Sequence, residues 1–135
     1  MSETVAESRG IRGIARVLGH AFVAGPDVTL HAQPSAAIRA ALGRTGLEVS
    51  ELRAVEINEA FAAVAVHSTR ELGVDPALVN AHGGAIALGH PIGASGTRIV
   101  GHLARRLEAE GPGSAGAAGI CGGGGQGAAV VLQAL

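Results

Sequence analysis

The sequence predicts an α/β fold in which a mixed sheet carries helices on its faces. Short apolar runs of strand length are interleaved with segments whose apolar positions recur at helical spacing. The chain closes on two strand-like runs joined by glycines, the pattern of a hairpin. The apolar residues are mostly Ala, Val, Leu and Ile, with two Phe and no Trp or Tyr in 135 residues, which suits close-packed aliphatic layers against a buried sheet. With 47% hydrophobic and 16% charged residues, the composition is that of one folded domain large enough for its own core.

Residues 1–11 begin MSETVAESRG and read as a flexible N-terminal tail, polar and without the apolar stretch of a signal peptide. The domain proper is expected over 12–135. Residues 14–23 alternate as a strand does and are followed by the turn residues Gly25, Pro26 and Asp27. From Pro34, the positions Ala37, Ile38, Ala41 and Leu42 mark a short amphipathic helix that Gly46 closes. A strand is expected over 53–58 and a helix over 59–72, stopped by Gly73. Residues 60–66 are apolar on every side, so this helix is expected to be buried.

Residues 80–97 read NAHGGAIALGHPIGASGT, too rich in glycine for an uninterrupted helix or a plain strand. They are expected to form an active-site loop with a buried 85–88 segment, feeding a helix over 97–110. Ile99, Val100, Leu103 and Leu107 share one face of that helix, and Arg98, Arg105, Arg106 and Glu108 lie elsewhere on it. Strands over 115–121 and 128–132 finish the chain, joined by residues 122–127. There is no internal repeat.

A net charge of −1 and a pI near 6.6 remove the electrostatic footprint of a nucleic-acid binder. No run approaches the roughly 18 apolar residues that span a bilayer. Cys121 is the single cysteine, so no internal disulfide is available and a reducing cytoplasm fits.

Several familiar site patterns fail on the residues themselves. Gly84 and Gly89 have the glycine spacing of a phosphate-binding loop, but His90 and Pro91 stand where lysine and a hydroxyl residue are needed. Gly122, Gly124 and Gly127 match a dinucleotide fingerprint, yet a strand-like run follows them instead of a helix. Ser95 lies in GASG, outside the nucleophile-elbow pattern. His82, His90 and Cys121 lack the paired short spacing of structural zinc ligands. Neither a metal nor a bound cofactor is expected.

What remains is Asn58 at a predicted strand end, His90 before a proline, and Cys121 before a glycine run. Strand ends are where α/β folds build sites. An imidazole can act as base or oxyanion donor, a thiol can exchange a proton, and an amide can hold a water. Each also has an ordinary structural reading, because a lone buried cysteine is commonly inert core and an asparagine ahead of a helix is commonly a cap.

Asn58-Glu59-Ala60-Phe61, then GGAIALGHPIGASG at 83–96, then Cys121 with its glycines resemble, in order and spacing, three signatures of the C-terminal half of thiolases. The likeness covers residues 12–135. It is to the NEAF class, the acetyl-CoA acetyltransferases and 3-ketoacyl-CoA thiolases, and not to the sterol-carrier type, whose first motif begins with histidine.

The resemblance implies a three-layer α-β-α half with a mixed, mainly five-stranded sheet, belonging to an oligomeric, cytoplasmic acyltransferase of fatty acid metabolism. Acyl-CoA and CoA would be its substrates. His90 would activate an acyl-accepting cysteine and donate a hydrogen bond to a thioester oxyanion, and Asn58 would hold the water that completes that oxyanion hole. Cys121 would move the proton at the α-carbon, and the Gly123 N–H would help form a second hole. Fixed donors of this kind are worth roughly 3 kcal/mol each, and the glycines are expected to let substrate reach the backbone.

His31 and Gly122 are expected at the substrate pocket. His31-Ala32-Gln33 stands where the family commonly has a small, glycine-containing stretch. Gly122 replaces a usual bulky aliphatic residue and is expected to loosen the strand end beside Cys121. The family's nucleophile is another cysteine, carried on the N-terminal half, so the chain alone is expected to be inactive. It is also expected to expose an apolar face where an N-terminal thiolase half, or a homologous full subunit, would pack. The other reading open at this point is a noncatalytic thiolase-like domain that binds a partner or an acyl-CoA, or an inactive truncated product.

Overall fold

The computed structural model describes residues Met1–Leu135. Strands β1 (Ala15–Ala24), β2 (Leu52–Ile57), β3 (Ala115–Gly122) and β4 (Gln126–Ala134) form one sheet in the order β1-β4-β3-β2. The β1–β4 and β4–β3 pairs are antiparallel and β3–β2 is parallel, so the sheet is mixed. Helices α2 (Gln33–Leu42) and α3 (Ala62–Leu72) contribute to one core layer with Val55, Ile57, Ala117 and Val131. On the other face, α5 (Ile92–Glu110) packs Ile99, Leu103 and Leu107 against Ala54, Ala118 and Leu132. The result is three layers.

Small residues in β3, AGAAGICG, bring the helices close. A Cβ on Gly116 would lie 2.6 Å from the Ala54 carbonyl and 2.8 Å from Leu103, and one on Gly119 would lie 3.0 Å from Ile38. Leu103 and Leu107 are wholly buried there, each contributing about 1.5–3 kcal/mol.

The sheet has four strands, not five. On the free edge of β2 the next position is reduced to a single parallel bridge between Val55 and Val79. Asn80 N–H donates to Val55 O at 3.0 Å, but its backbone then turns to φ 48°. Its side chain continues the pairing instead: Oδ1 accepts from Ile57 N–H at 2.9 Å and Nδ2 donates to Ile57 O at 2.8 Å. An amide is thus satisfying an edge that would otherwise need a strand.

Three local expectations are corrected. Helix α3 starts at Ala62, after an extended Phe61, and of residues 60–66 only Val64 is buried. Phe61 is 65% and Val66 50% exposed. The 85–88 segment is a short helix, α4 (Ala85–Leu88), with only Ala85 buried. Helix α5 begins at Ile92, ahead of the expected 97. Its internal glycines each cost about 1 kcal/mol relative to alanine, but Ile99, Leu103 and Leu107 pack the helix on the sheet, and packing outweighs propensity.

Near the N-terminus, α1 (Glu3–Ser8) is capped by Ser2 and buries none of its side chains, while Glu3 pairs with Arg16 on β1. Deeper in the molecule, Glu56 of β2 is 1% exposed and binds Arg106 of α5 at 2.7 Å. The other Arg106 donors reach Val55 O and Leu78 O at 3.3 and 3.0 Å. This pair ties α5, β2 and the 76–78 turn together.

Candidate active site

Asn58 follows the last residue of β2, at the carboxyl end of the parallel strand pair, and its N–H donates to Gly119 O at 2.9 Å. It is fully buried and does not cap α3, whose N-cap is Phe61. His90 lies between α4 and α5 and is exposed. Its Nε2 is 3.4 Å from Asn58 Nδ2, and its Nδ1 is 2.6 Å from Ser95 Oγ. Arg98 Nη2 donates to Asn58 Oδ1 at 3.3 Å. One turn of α5 therefore supports both site residues.

The loop carrying His90 is held by Glu59. Its Oε1 accepts from Asn80 Nδ2 and its Oε2 accepts from Ile86 N–H, both at 2.9 Å. Gly84 has no room for a side chain, since a Cβ would lie 2.4 Å from the Glu59 carboxylate carbon. The glycine therefore serves this close approach. Glu59 was legible as part of a motif, but its role as an anchor was not.

Cys121 lies near the carboxyl end of β3, at the same end of the sheet, half-buried against the layer that holds α2 and α3. It forms no hydrogen bond with Asn58 or His90. Burial pushes its thiol pKa above the ordinary cysteine value, against a smaller opposing effect of a backbone hydrogen bond. The thiol therefore stays protonated at neutral pH. Alkylation by iodoacetamide is expected to rise with pH along a curve displaced to higher pH than that of a free thiol. A curve coinciding with free cysteine would refute this. By linkage, the thiol favours the fold below its unfolded pKa, and that stabilisation is lost as pH rises through the raised folded value.

The glycine run after Cys121 has two uses. A Cβ on Gly125 would lie 1.9 Å from Asp27 O, and one on Gly127 would lie 2.5 Å from Gln33 O. These glycines admit the chain's own 25–33 loop, which Gln33 Nε2 ties to Gly25 O at 3.0 Å and Thr29 O at 3.3 Å. In the same loop, Thr29 Oγ1 and N–H donate to Asp27 and hold its carboxyl below the usual range. Only around Gly123 is the space open. Gly122 is the last residue of β3 and pairs with Gln126, so the strand runs through it.

His31 is brought to α3, its ring edge-on to His67 with centroids 4.7 Å apart, and its carbonyl accepts from Ser68 Oγ at 2.8 Å. No side-chain hydrogen bond joins it to Asn58 or His90. His82 similarly stacks on His102, at 5.3 Å. No group of three or more His, Cys, Asp or Glu side chains is arranged to hold a metal ion.

Ser95 and Arg98 were missed as site residues. In the sequence Ser95 reads only as a serine outside the nucleophile-elbow pattern, and Arg98 only as a residue off the apolar face of its helix. Their spacing from His90, five and eight residues along what becomes helix, was the available signal, concealed by the late helix start. Around His90 the surface is apolar: Ile86, Leu88 and Ile92 are 67%, 63% and 84% exposed. A concavity of about 350 Å³ lies between α3 and the 76–80 segment, lined by residues including Glu59, Val66, Arg70 and Asn80, but not by His90 or Cys121. An imidazole thus stands on an open apolar surface at the sheet end that carries a thiol.

Residues 11–134 match the family model described as the C-terminal domain of thiolase. The chain is 56% identical over 133 residues to a probable acetyl-CoA acetyltransferase of Mycolicibacterium smegmatis, covering 98% of this chain and 34% of that protein. It is 44% identical over 135 residues to the acetyl-CoA acetyltransferase of Shinella zoogloeoides, covering 100% and 34% respectively. The crystal structure of the Bacillus anthracis acetyl-CoA acetyltransferase superposes with a TM-score of 0.93 at 36% identity, over all of this chain and 34% of that one. The Acat5 thiolase of Ascaris suum, solved in complex with coenzyme A, gives 0.91 at 37% identity, over 99% and 34%. The chain thus spans about a third of the length of these relatives. With its three-layer fold and the placement of Asn58, His90 and Cys121 at one end of the sheet, it belongs to the thiolase family as a C-terminal domain.

Proposed function

We propose that this chain is the C-terminal catalytic half of a thiolase-type acyltransferase, acting on acyl-CoA in Claisen condensation or on 3-ketoacyl-CoA in thiolytic cleavage. The observation that carries the reading is the contact between Asn58 and His90 at 3.4 Å, made at the sheet end that also carries Cys121. The nucleophilic cysteine comes from an N-terminal thiolase half, and CoA thioesters are substrates, with no resident cofactor.

In this reading His90 Nε2 takes the proton of the nucleophilic thiol, and the resulting thiolate attacks the thioester carbonyl. The imidazolium so formed has an N–H to offer the oxyanion, beside a water held by Asn58. Cys121 delivers a proton to, or removes one from, the α-carbon at which the carbon–carbon bond breaks or forms. The Gly123 N–H faces the enolate oxygen. His31 and Gly122 border the substrate pocket. The exposed Phe61, Ile86, Leu88 and Ile92 support a covering body over this surface, because a patch of large apolar side chains next to a reactive group marks an interaction face. The N-terminal half is that body, within a cytoplasmic, oligomeric enzyme.

The test is acetoacetyl-CoA cleavage by this chain alone, by its mixture with an N-terminal thiolase half, and by the mixture carrying Cys121→Ala. Activity is expected only in the unmodified mixture. A mixture that associates but stays inactive would sink the proposal and leave a noncatalytic binding domain.

A further inference from the structure

We propose that Ser95 and Arg98 are positioning residues that hold His90 in its Nδ1–H tautomer, leaving Nε2 unprotonated as the acceptor of the Asn58 amide. The inference deepens the reading of His90 as a base and rests on it for its purpose, though not for its evidence.

Four contacts fix which atoms donate and which accept. A guanidinium has no acceptor, so the Asn58 atom that meets Arg98 Nη2 at 3.3 Å is the amide oxygen. The Asn58 atom facing His90 is then the NH₂ group, a pure donor, and at 3.4 Å it can be satisfied only by an unprotonated Nε2. A neutral imidazole with a bare Nε2 carries its proton on Nδ1, which donates to Ser95 Oγ at 2.6 Å. The Ser95 hydroxyl proton is left free to go to Pro91 O, 3.1 Å away. Every contact has one donor and one acceptor.

The opposite tautomer fails at two points. An Nε2–H would face the Asn58 NH₂, donor against donor. Turning the amide over to repair that would aim the NH₂ at Arg98, again donor against donor. Ser95 by itself could serve either tautomer, because a hydroxyl both gives and accepts. Arg98 decides the direction and Ser95 completes it. Ser95 is wholly buried, so water does not compete for its hydroxyl. In a histidine the bond made by one ring nitrogen sets the state of the other. A bare Nε2 is what a base needs: it accepts the thiol proton once the Asn58 NH₂ gives up its contact, and Nδ1–H stays on Ser95.

Long-range proton–nitrogen NMR of isotope-labelled imidazoles in this chain reads the tautomer directly, at a pH where the ring is neutral. His90 is assigned by the signal lost in His90→Gln. The wild-type chain is expected to show protonated Nδ1 and bare Nε2. Ser95→Ala, which takes the acceptor from Nδ1–H while Arg98 still opposes Nε2–H, is expected to give a mixture of tautomers, and Ser95→Thr to restore the wild-type pattern. Arg98→Met, which frees the Asn58 amide to turn, is expected to give a mixture. A wild-type His90 protonated on Nε2, or a pattern unmoved by both Ser95→Ala and Arg98→Met, would overturn the proposal. The wild-type spectrum decides even where Ser95→Ala fails to fold. Because no turnover is read, the two proposals fail separately. An inactive reconstituted complex with an Nδ1–H His90 refutes only the thiolase reading, and an active one with Nε2–H refutes only this.

Discussion

Arg106→Met is expected to lower the free energy of unfolding by about 3–5 kcal/mol, read from urea denaturation, because it strands a buried carboxylate. Glu56 is 1% exposed and Arg106 supplies its close cationic partner at 2.7 Å. His102 Nε2 is 3.8 Å from the same carboxylate oxygen and buried without a hydrogen bond, too far to replace the guanidinium. The substitution also removes donors from Val55 O and Leu78 O. Replacing both partners by apolar residues, as in Glu56→Leu with Arg106→Met, is expected to recover much of the loss, since no charge is left buried. A single-variant loss below about 1 kcal/mol would show that the pair does not carry the β2–α5 contact.

His90→Ala in the complex with an N-terminal thiolase half is expected to reduce turnover by about 10²–10⁴-fold, the usual contribution of a positioned acid–base group. Urea unfolding of the variant chain is expected to show a loss of no more than about 1–3 kcal/mol, the cost of leaving the buried Asn58 amide without its His90 partner. The two variants thus separate the structural and chemical roles of α5: Arg106 holds the helix down, and the helix start holds His90. Turnover within a factor of about three of wild type, on a complex that still assembles, would remove His90 from the chemistry.

The four strands and the major helices were legible from periodicity and turn residues, with boundaries moving by a few residues. The apolar 60–66 segment misled because it was read as core. In the structure Phe61 and Val66 face outward, since burial depends on what lies opposite and periodicity does not say whether that belongs to the same chain. The late helix start misled for a different reason. Glycines at 93, 96 and 101 lower helix propensity, yet contacts of Ile99, Leu103 and Leu107 with the sheet outweigh it.

His90 and Cys121 were legible as candidates beside a proline and a glycine run, and Asn58 at a predicted strand end, with an ordinary structural reading open for each and only the thiolase likeness to choose between them. By itself the sequence determined the α/β class and the order of the elements, which follow from side-chain period and local backbone chemistry, and the family likeness, which rests on three motifs matched in order and spacing. Only the tertiary structure decided that Asn58 meets His90, that Asn80 seals the edge of β2, and that Ser95 and Arg98 stand behind the imidazole. Those contacts join residues up to 40 positions apart. Their geometry is set by how α5 lies across β2, a packing outcome that no local pattern encodes.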